Sequence, residues 1–214
     1  MIKGTKNTTL IYVHDPMCSW CFGFSKAYNT IVKELAGRVD LVRLLGGLAT
    51  DTDEPMHLEM QSKLQQTWRQ IEQVIPGTKF NYDFWKNCKP RRATYPACRA
   101  VIAARLQGEE FDVLITEAIQ EAYYLKAKNP SDLDVLINLA DELGLDAKKF
   151  EHDLKSTAVQ LQLTEDIRLS RSIGISSYPS MAVIANQKIN HIDLAYTDPV
   201  SMLKQINAAV KPTV

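Results

Sequence analysis

Two cysteines stand three positions apart in the stretch VHDPMCSWCFGF, residues 13–24, immediately after a short apolar run. Such a pair can clip a metal, staple the fold, or cycle between dithiol and disulfide. A cysteine at the start of a helix faces the positive end of the helix dipole and unpaired backbone N–H groups, which favour thiolate over thiol. Cys18 has that position if a helix begins here. Cys21, one turn further on the same face, is near enough to close a disulfide but deeper and less accessible. Attack by Cys18 and resolution by Cys21 is the chemistry this spacing predicts, and neither step needs a cofactor. None is expected.

A zinc clip needs a second ligand pair. The other two cysteines, Cys88 and Cys98, are separated by nine residues, and the four histidines cluster near neither pair, so no metal is expected. Cys88 and Cys98 could form a second redox pair, but Cys98 shares an apolar helical face with Val101 and Ile102 and better suits a buried small hydrophobe. Near the CxxC, Trp20 suits a substrate groove or a ring folded back on the domain. His14 suits thiolate tuning or a strand-end bond to backbone. Asp15 would help the chain turn into the helix, whereas its charge would oppose a nearby thiolate.

The elements that must hold these residues follow from periodicity. TTLIYVHD is rich in β-branched and aromatic residues and predicts a buried strand, and residues 39–45 predict a second. Between them Phe24, Ala27, Tyr28, Ile31 and Leu35 fall at helical spacing, with Gly37 as a C-terminal stop. Strand, helix and strand in a right-handed crossover make a parallel pair, with the CxxC at the helix start.

From residue 50 to about 154 the patterns are helical. Met56, Met60, Leu64, Trp68, Ile71 and Ile75 form a stripe ended by Pro76-Gly77. An aromatic loop, KFNYDFWKNCKP, precedes a helix with Pro96 in its first turn. A third stripe runs through Phe111, Leu114, Ile115, Ala118, Ile119 and Ala122, a fourth starts with Ser131 as its predicted cap, and Phe150 and Leu154 mark a fifth. The end of the chain predicts a helix through Val159, Leu163 and Ile167, then strands at 181–185 and 188–194 joined at Asn186-Gln187. A last helix opens at Pro199. Tyr178-Pro179 lies just before the first of those strands, where a cis bond would turn the chain sharply, although the dipeptide alone fits an ordinary loop proline equally well.

The chain has 214 residues, 45% of them hydrophobic, which is enough for one sizeable core or a domain with a large insertion. Its 25 basic residues balance 25 acidic ones, so no charge surplus marks it for nucleic acid or an anionic membrane. Residues 1–17 lack the apolar core and cleavage pattern of a signal peptide, and no stretch approaches the roughly 18 apolar residues of a membrane span. A cytoplasmic protein with reduced thiols is expected.

YVHDPMCSWCFGF, PACRAVIAAR and GISSYPSMAV together resemble the DsbA-like branch of the thioredoxin superfamily, with the FrnE-like members most similar. The resemblance implies an α/β thioredoxin-like fold with a large all-helical insertion, the fold domain spanning 1–49 and 157–214 and the insertion 50–156. It implies a thiol-disulfide oxidoreductase, a reductase or isomerase of protein disulfides, with Cys18 as nucleophile and Cys21 as resolving thiol. Pro179 would be the cis-proline beside them, with Tyr178 pairing its backbone to an extended substrate. Its partners would be protein or small-molecule thiols and disulfides, with a cytosolic reducing system for recycling. Ser19-Trp20 differs from the dipeptides of thioredoxin and of exported DsbA, so neither redox poise transfers. Two rival readings stand beside this one. The related kappa-type transferases and hydroxychromene-carboxylate isomerases hold glutathione with a serine at the attacking position, which here is Cys18. A non-catalytic chaperone would use the groove beside Pro179 only to bind peptides.

Overall fold

A computed structural model describes residues 8–210. Residues 1–7 and 211–214, which belong to the expected leader-free start and to the outer ends of the expected fold domain, lie outside the described residues.

Strand β1 (Thr8–His14) is buried along its whole length, as a β-branched and aromatic run at the centre of a sheet must be. Helix α1 (Ser19–Leu35) follows and leads to β2 (Asp40–Leu45), one residue shorter than the periodicity suggests. α1 stops at Ala36, and Gly37 follows in the left-handed region at φ 73°, a conformation that favours glycine. Six helices then intervene: α2 (Leu58–Val74), α3 (Phe84–Asn87), α4 (Tyr95–Arg105), α5 (Phe111–Tyr124), α6 (Leu133–Glu142) and α7 (Ala147–Leu154). Helix α8 (Thr157–Ser172), strands β3 (Ser180–Ala185) and β4 (Lys188–Ile192), and α9 (Pro199–Val210) complete the chain.

The sheet order is β2-β1-β3-β4. β1 runs parallel to β2, with Thr9 opposite Asp40 and His14 opposite Leu45, and antiparallel to β3, with Thr8 opposite Ala185. β3 and β4 form a hairpin turned by Asn186 and Gln187 at φ 51° and 62°, the paired left-handed conformation whose twist matches the strands. Successive residues of β1 point to opposite faces. Leu10 and Tyr12 pack with Phe24, Ile31, Met202 and Ile206 of α1 and α9, whereas Ile11 and Val13 pack with Leu44, Ile173 and Ala182 on the other face. A third, larger core joins the intervening helices around the fully buried Trp68, Tyr124 and Phe150, and it reaches the sheet side through Met17 and Leu45.

Several local expectations change. The aromatic loop contains α3, and β4 ends at Ile192 rather than at residue 194. Ser131 does not cap α6. Asp132 holds the cap position, while the Ser131 hydroxyl donates to Ala93 O at 2.8 Å and its N–H to Asn129 Oδ1. α5 turns Asp112, Thr116 and Gln120 inward and leaves Leu114 exposed, because Arg43 of β2 and Arg105 of α4 supply buried partners: Arg43 Nε lies 2.6 Å and Arg105 Nε 2.8 Å from the Asp112 carboxylate. No described helix is long and apolar enough to cross a membrane.

Candidate active site

Cys18 is the N-cap of α1, with extended backbone at φ −83° and ψ 116°. Its N–H donates to Asp15 O at 3.0 Å and its carbonyl accepts from Phe22 N–H at 3.1 Å, which fixes the turn that aims its sulfur. No side chain caps the helix, so no side chain accepts from its first-turn N–H groups. Sγ lies 3.4 Å from the carbonyl oxygen of Tyr178. The Tyr178-Pro179 bond is cis.

Cys21 lies one turn deeper. Both thiols are free, Cys18 6% and Cys21 1% exposed. Burial above all, and then the hydrogen bond and charge of Cys18, push the Cys21 thiol well above its ordinary value. Cys18 is thus the outer sulfur of the two, and Cys21 is held beneath it as the thiol.

Tyr178 is seated by the loop that follows β2, at the same end of the sheet as the CxxC turn. Its hydroxyl donates to Gly46 O at 2.6 Å, and Gly46 N–H donates to His14 O at 2.7 Å, which extends the β1–β2 ladder past the last strand residue. The Tyr178 ring lies flat against Gly46, where any side chain would collide with it. The double glycine of LLGGLAT after a strand is a sequence signal of such close approach.

Trp20 packs on Tyr196 with ring centroids 5.1 Å apart, so it is half-buried against the loop before α9. His14 is 1% exposed, stacks on Tyr12 at 5.0 Å, and with Cys21 lines a cavity of about 20 Å3 behind the site. Burial first, then the charges of Arg43 and Arg105, hold its imidazole well below the usual range, so it is neutral. The Nε2 atom of His14 makes no hydrogen bond to protein. The structure thus gathers Cys18, Cys21, Tyr178 and Pro179 at one point, with Trp20 at its edge and His14 beneath. Around this point Phe22 stacks on Tyr124 of α5 at 4.7 Å, and Asp15 is wholly enclosed. Cys98 is fully buried, as its helical face predicts, and its Sγ lies 3.5 Å from Asp15. Cys88 Sγ lies 3.1 Å from Ala127 O. Among the described residues no three His, Cys, Asp or Glu side chains gather as a metal site.

A mixed sheet with a CxxC at the start of its first helix and many added helices is the DsbA-like form of the thioredoxin fold. The family model described as thioredoxin matches residues 11–205, and the chain belongs to that family. Its fold is shared with a candidate protein disulfide isomerase from Nitrosomonas europaea, at 25% identity and TM-score 0.77 over 95% of this chain and 97% of that one. The cytosolic disulfide reductase DsbM from Pseudomonas aeruginosa has the same fold at 23% identity and TM-score 0.72, over 86% of this chain and 89% of that one. Among curated proteins, the ClpXP adapter protein SpxH of Halalkalibacterium halodurans is 24% identical over 193 residues, 86% of this chain. The chain spans 60% of that relative's length and 57% of the Bacillus subtilis SpxH, which is 25% identical.

Proposed function

We propose that the protein is a thiol-disulfide oxidoreductase that reduces or isomerises disulfides, with Cys18 as nucleophile and Cys21 as resolving thiol. The observation that carries this reading is the placement of Cys18 Sγ at an uncapped helix start, 3.4 Å from the Tyr178 carbonyl, with the Cys21 thiol buried beneath it. Cys18 thiolate attacks one sulfur of a substrate disulfide, forming a mixed disulfide and releasing the other sulfur as a thiolate that takes up a proton. Cys21 then loses its proton, attacks Cys18 Sγ and releases the second substrate thiol, leaving the protein as the Cys18–Cys21 disulfide. The Tyr178 backbone and Pro179 hold the substrate strand and Trp20 borders it, while His14 tunes the pair from behind. Recycling needs an external thiol, supplied in a cytoplasmic setting by the cell's reducing system. The chain divides, in this reading, into a fold domain of 1–49 and 157–214 and a helical insertion of 50–156 that roofs the nucleophile.

The solved relatives named as a disulfide isomerase and a disulfide reductase support the reading, as does a DsbM structure that carries glutathione. A second reading is favoured by the curated relatives, which are named as adapters of a protease. An adapter would use the same groove to bind a partner without turnover. Non-reducing electrophoresis of cell proteins captured by variants separates the two. Cys21→Ala is expected to accumulate mixed disulfides, Cys18→Ala to accumulate none, and Pro179→Thr to change their yield while staying folded. Partner binding that survives loss of both cysteines, with no turnover of a small disulfide by the parent, would leave the adapter reading standing and remove the enzyme.

A further inference from the structure

A cleft of about 480 Å3 opens where the start of α4 meets the start of α6 and the junction of α7 with α8, and none of Cys18, Cys21, Tyr178 or Pro179 lines it. Pro96, Leu133 and Leu154 form its apolar wall. The cations Arg99 and Lys155 also line it, and no carboxylate does. A concave, mostly apolar site with a few convergent polar groups has the form of a small-molecule pocket, and this volume lies within the usual range.

Arg99 determines what such a molecule must carry. Its side chain is only 18% exposed, so a charge met there is partly withdrawn from water. Asp51 takes the end-on pair of donors, with Nη1 donating to Oδ2 at 2.8 Å and Nη2 to Oδ1 at 2.7 Å, and Nη1 donates also to Gln160 Oε1 at 2.9 Å. A guanidinium has five N–H donors in a fixed plane. The remaining two, Nε–H and the second Nη2–H, are parallel and form a side-on fork with no partner among the described residues. Arg168 shows in this same chain what fills such a fork: its Nε and Nη2 hold the two oxygens of Glu165, each at 2.7 Å. A neutral amide offers one acceptor oxygen where a carboxylate offers two, and the bond to a charged acceptor is about twice as strong. Lys155 is already paired with Glu151 at 2.6 Å, which leaves the fork of Arg99 as the open cationic group of the cleft.

We infer that this cleft is a binding site for a small organic carboxylate, whose two oxygens sit on the side-on fork of Arg99 and whose apolar body lies against Pro96, Leu133 and Leu154. The site is separate from the cysteine pair and holds under either reading of the protein's function. Asp51, with its side chain 52% exposed, shares the guanidinium with the ligand from the end-on side. Its charge repels the ligand while that of Arg99 attracts it, so the two residues have opposite effects on affinity.

Titration of the whole protein with hexanoate tests this, followed by the NMR signal of the Arg99 Nε–H and, in variants, by the backbone amides of Leu133 and Gln160. Hexanoate is expected to shift these signals saturably. Acetate, four methylenes shorter, should bind about tenfold or more weakly, and hexanamide, which lacks the charge and the second acceptor, also by about tenfold or more. Arg99→Gln should weaken hexanoate binding by about tenfold or more, and Asp51→Asn should tighten it by about threefold, each with the fold checked by circular dichroism. A site that merely collects apolar molecules would bind hexanamide as well as hexanoate, and that result overturns the inference. So does the lack of any saturable shift with hexanoate, or an Arg99→Gln protein that binds it as the parent does. Should Arg99→Gln not fold, Asp51→Asn decides, and an affinity unchanged or lowered there overturns the inference.

Discussion

Replacing Gly46 by alanine probes the seat of Tyr178. A methyl group built there overlaps Cζ, Cε1 and Cδ1 of the Tyr178 ring, all well inside any real carbon contact. The backbone at Gly46 does not lie in the left-handed region, so the cost arises from this collision and not from the conformation of the new residue. The ring cannot slide in place, because its hydroxyl is tied to Gly46 O at 2.6 Å. It must swing out, losing a hydrogen bond of about 1 kcal/mol and straining neighbours by about 1–3 kcal/mol, together about 2–4 kcal/mol. At about 2–4 °C per kcal/mol for a chain of this size, the melting temperature should fall by roughly 4–16 °C. On the proposed function, unseating Tyr178 beside Cys18 should also lower the single-turnover rate with a small disulfide. The decisive assay is a double-mutant cycle with Tyr178→Ala, in which the penalty of the Gly46 substitution should largely vanish. Additive melting shifts, or a Gly46→Ala protein as stable and active as the parent, would refute the reasoning.

Two further perturbations have signs fixed by the structure. Asp112→Asn leaves Arg43 and Arg105 buried without their shared anion, with Arg43 and Asp112 side chains only 10% and 7% exposed, and should cost about 3–5 kcal/mol in urea unfolding; a loss below about 1 kcal/mol would contradict a buried network. His14 is held neutral in the fold, so below about pH 6.5 the unfolded chain binds a proton that the folded one refuses. Stability is then present above that pH and lost as pH falls toward the depressed folded value, by up to about 1.4 kcal/mol per pH unit. Comparing unfolding at pH 7.5 and 5.5 should show a loss in the parent that is reduced in His14→Gln, and equal losses in both proteins would refute the assignment.

Local patterns made much of this fold readable. A β-branched run, an apolar stripe at helical spacing and a terminal glycine define β1, α1 and β2 within a few dozen residues, and Asn186-Gln187 marks the hairpin turn. α3 is not legible because four residues carry no period, and Ser131 suits a cap by type while its hydroxyl serves the distant Ala93. The inward Asp112 and Thr116 run against the apolar rule for the same reason, since their partners come from β2 and α4. At the site, Cys18 and Cys21 are legible from spacing alone. Tyr178-Pro179 is visible as a dipeptide before a strand, but Tyr178 lies 160 positions from Cys18 and its place beside the pair comes only from family resemblance, while the collision surface at Gly46 and the donors around Asp15 exist only once distant loops meet.

β1 sits between β2 and β3, so one side of it pairs with a strand that follows closely and the other with a strand near the far end of the chain. On the ribosome, the first 45 residues can offer β1 only one of its two neighbours. At about 5–20 residues per second, the 160 positions between Cys18 and Tyr178 take on the order of ten to thirty seconds to synthesise. Throughout that interval the cysteine pair is already made but has neither its facing carbonyl nor the second flank of its sheet. Both cysteines are thus made well before the strand and the turn at Pro179 that complete their surroundings.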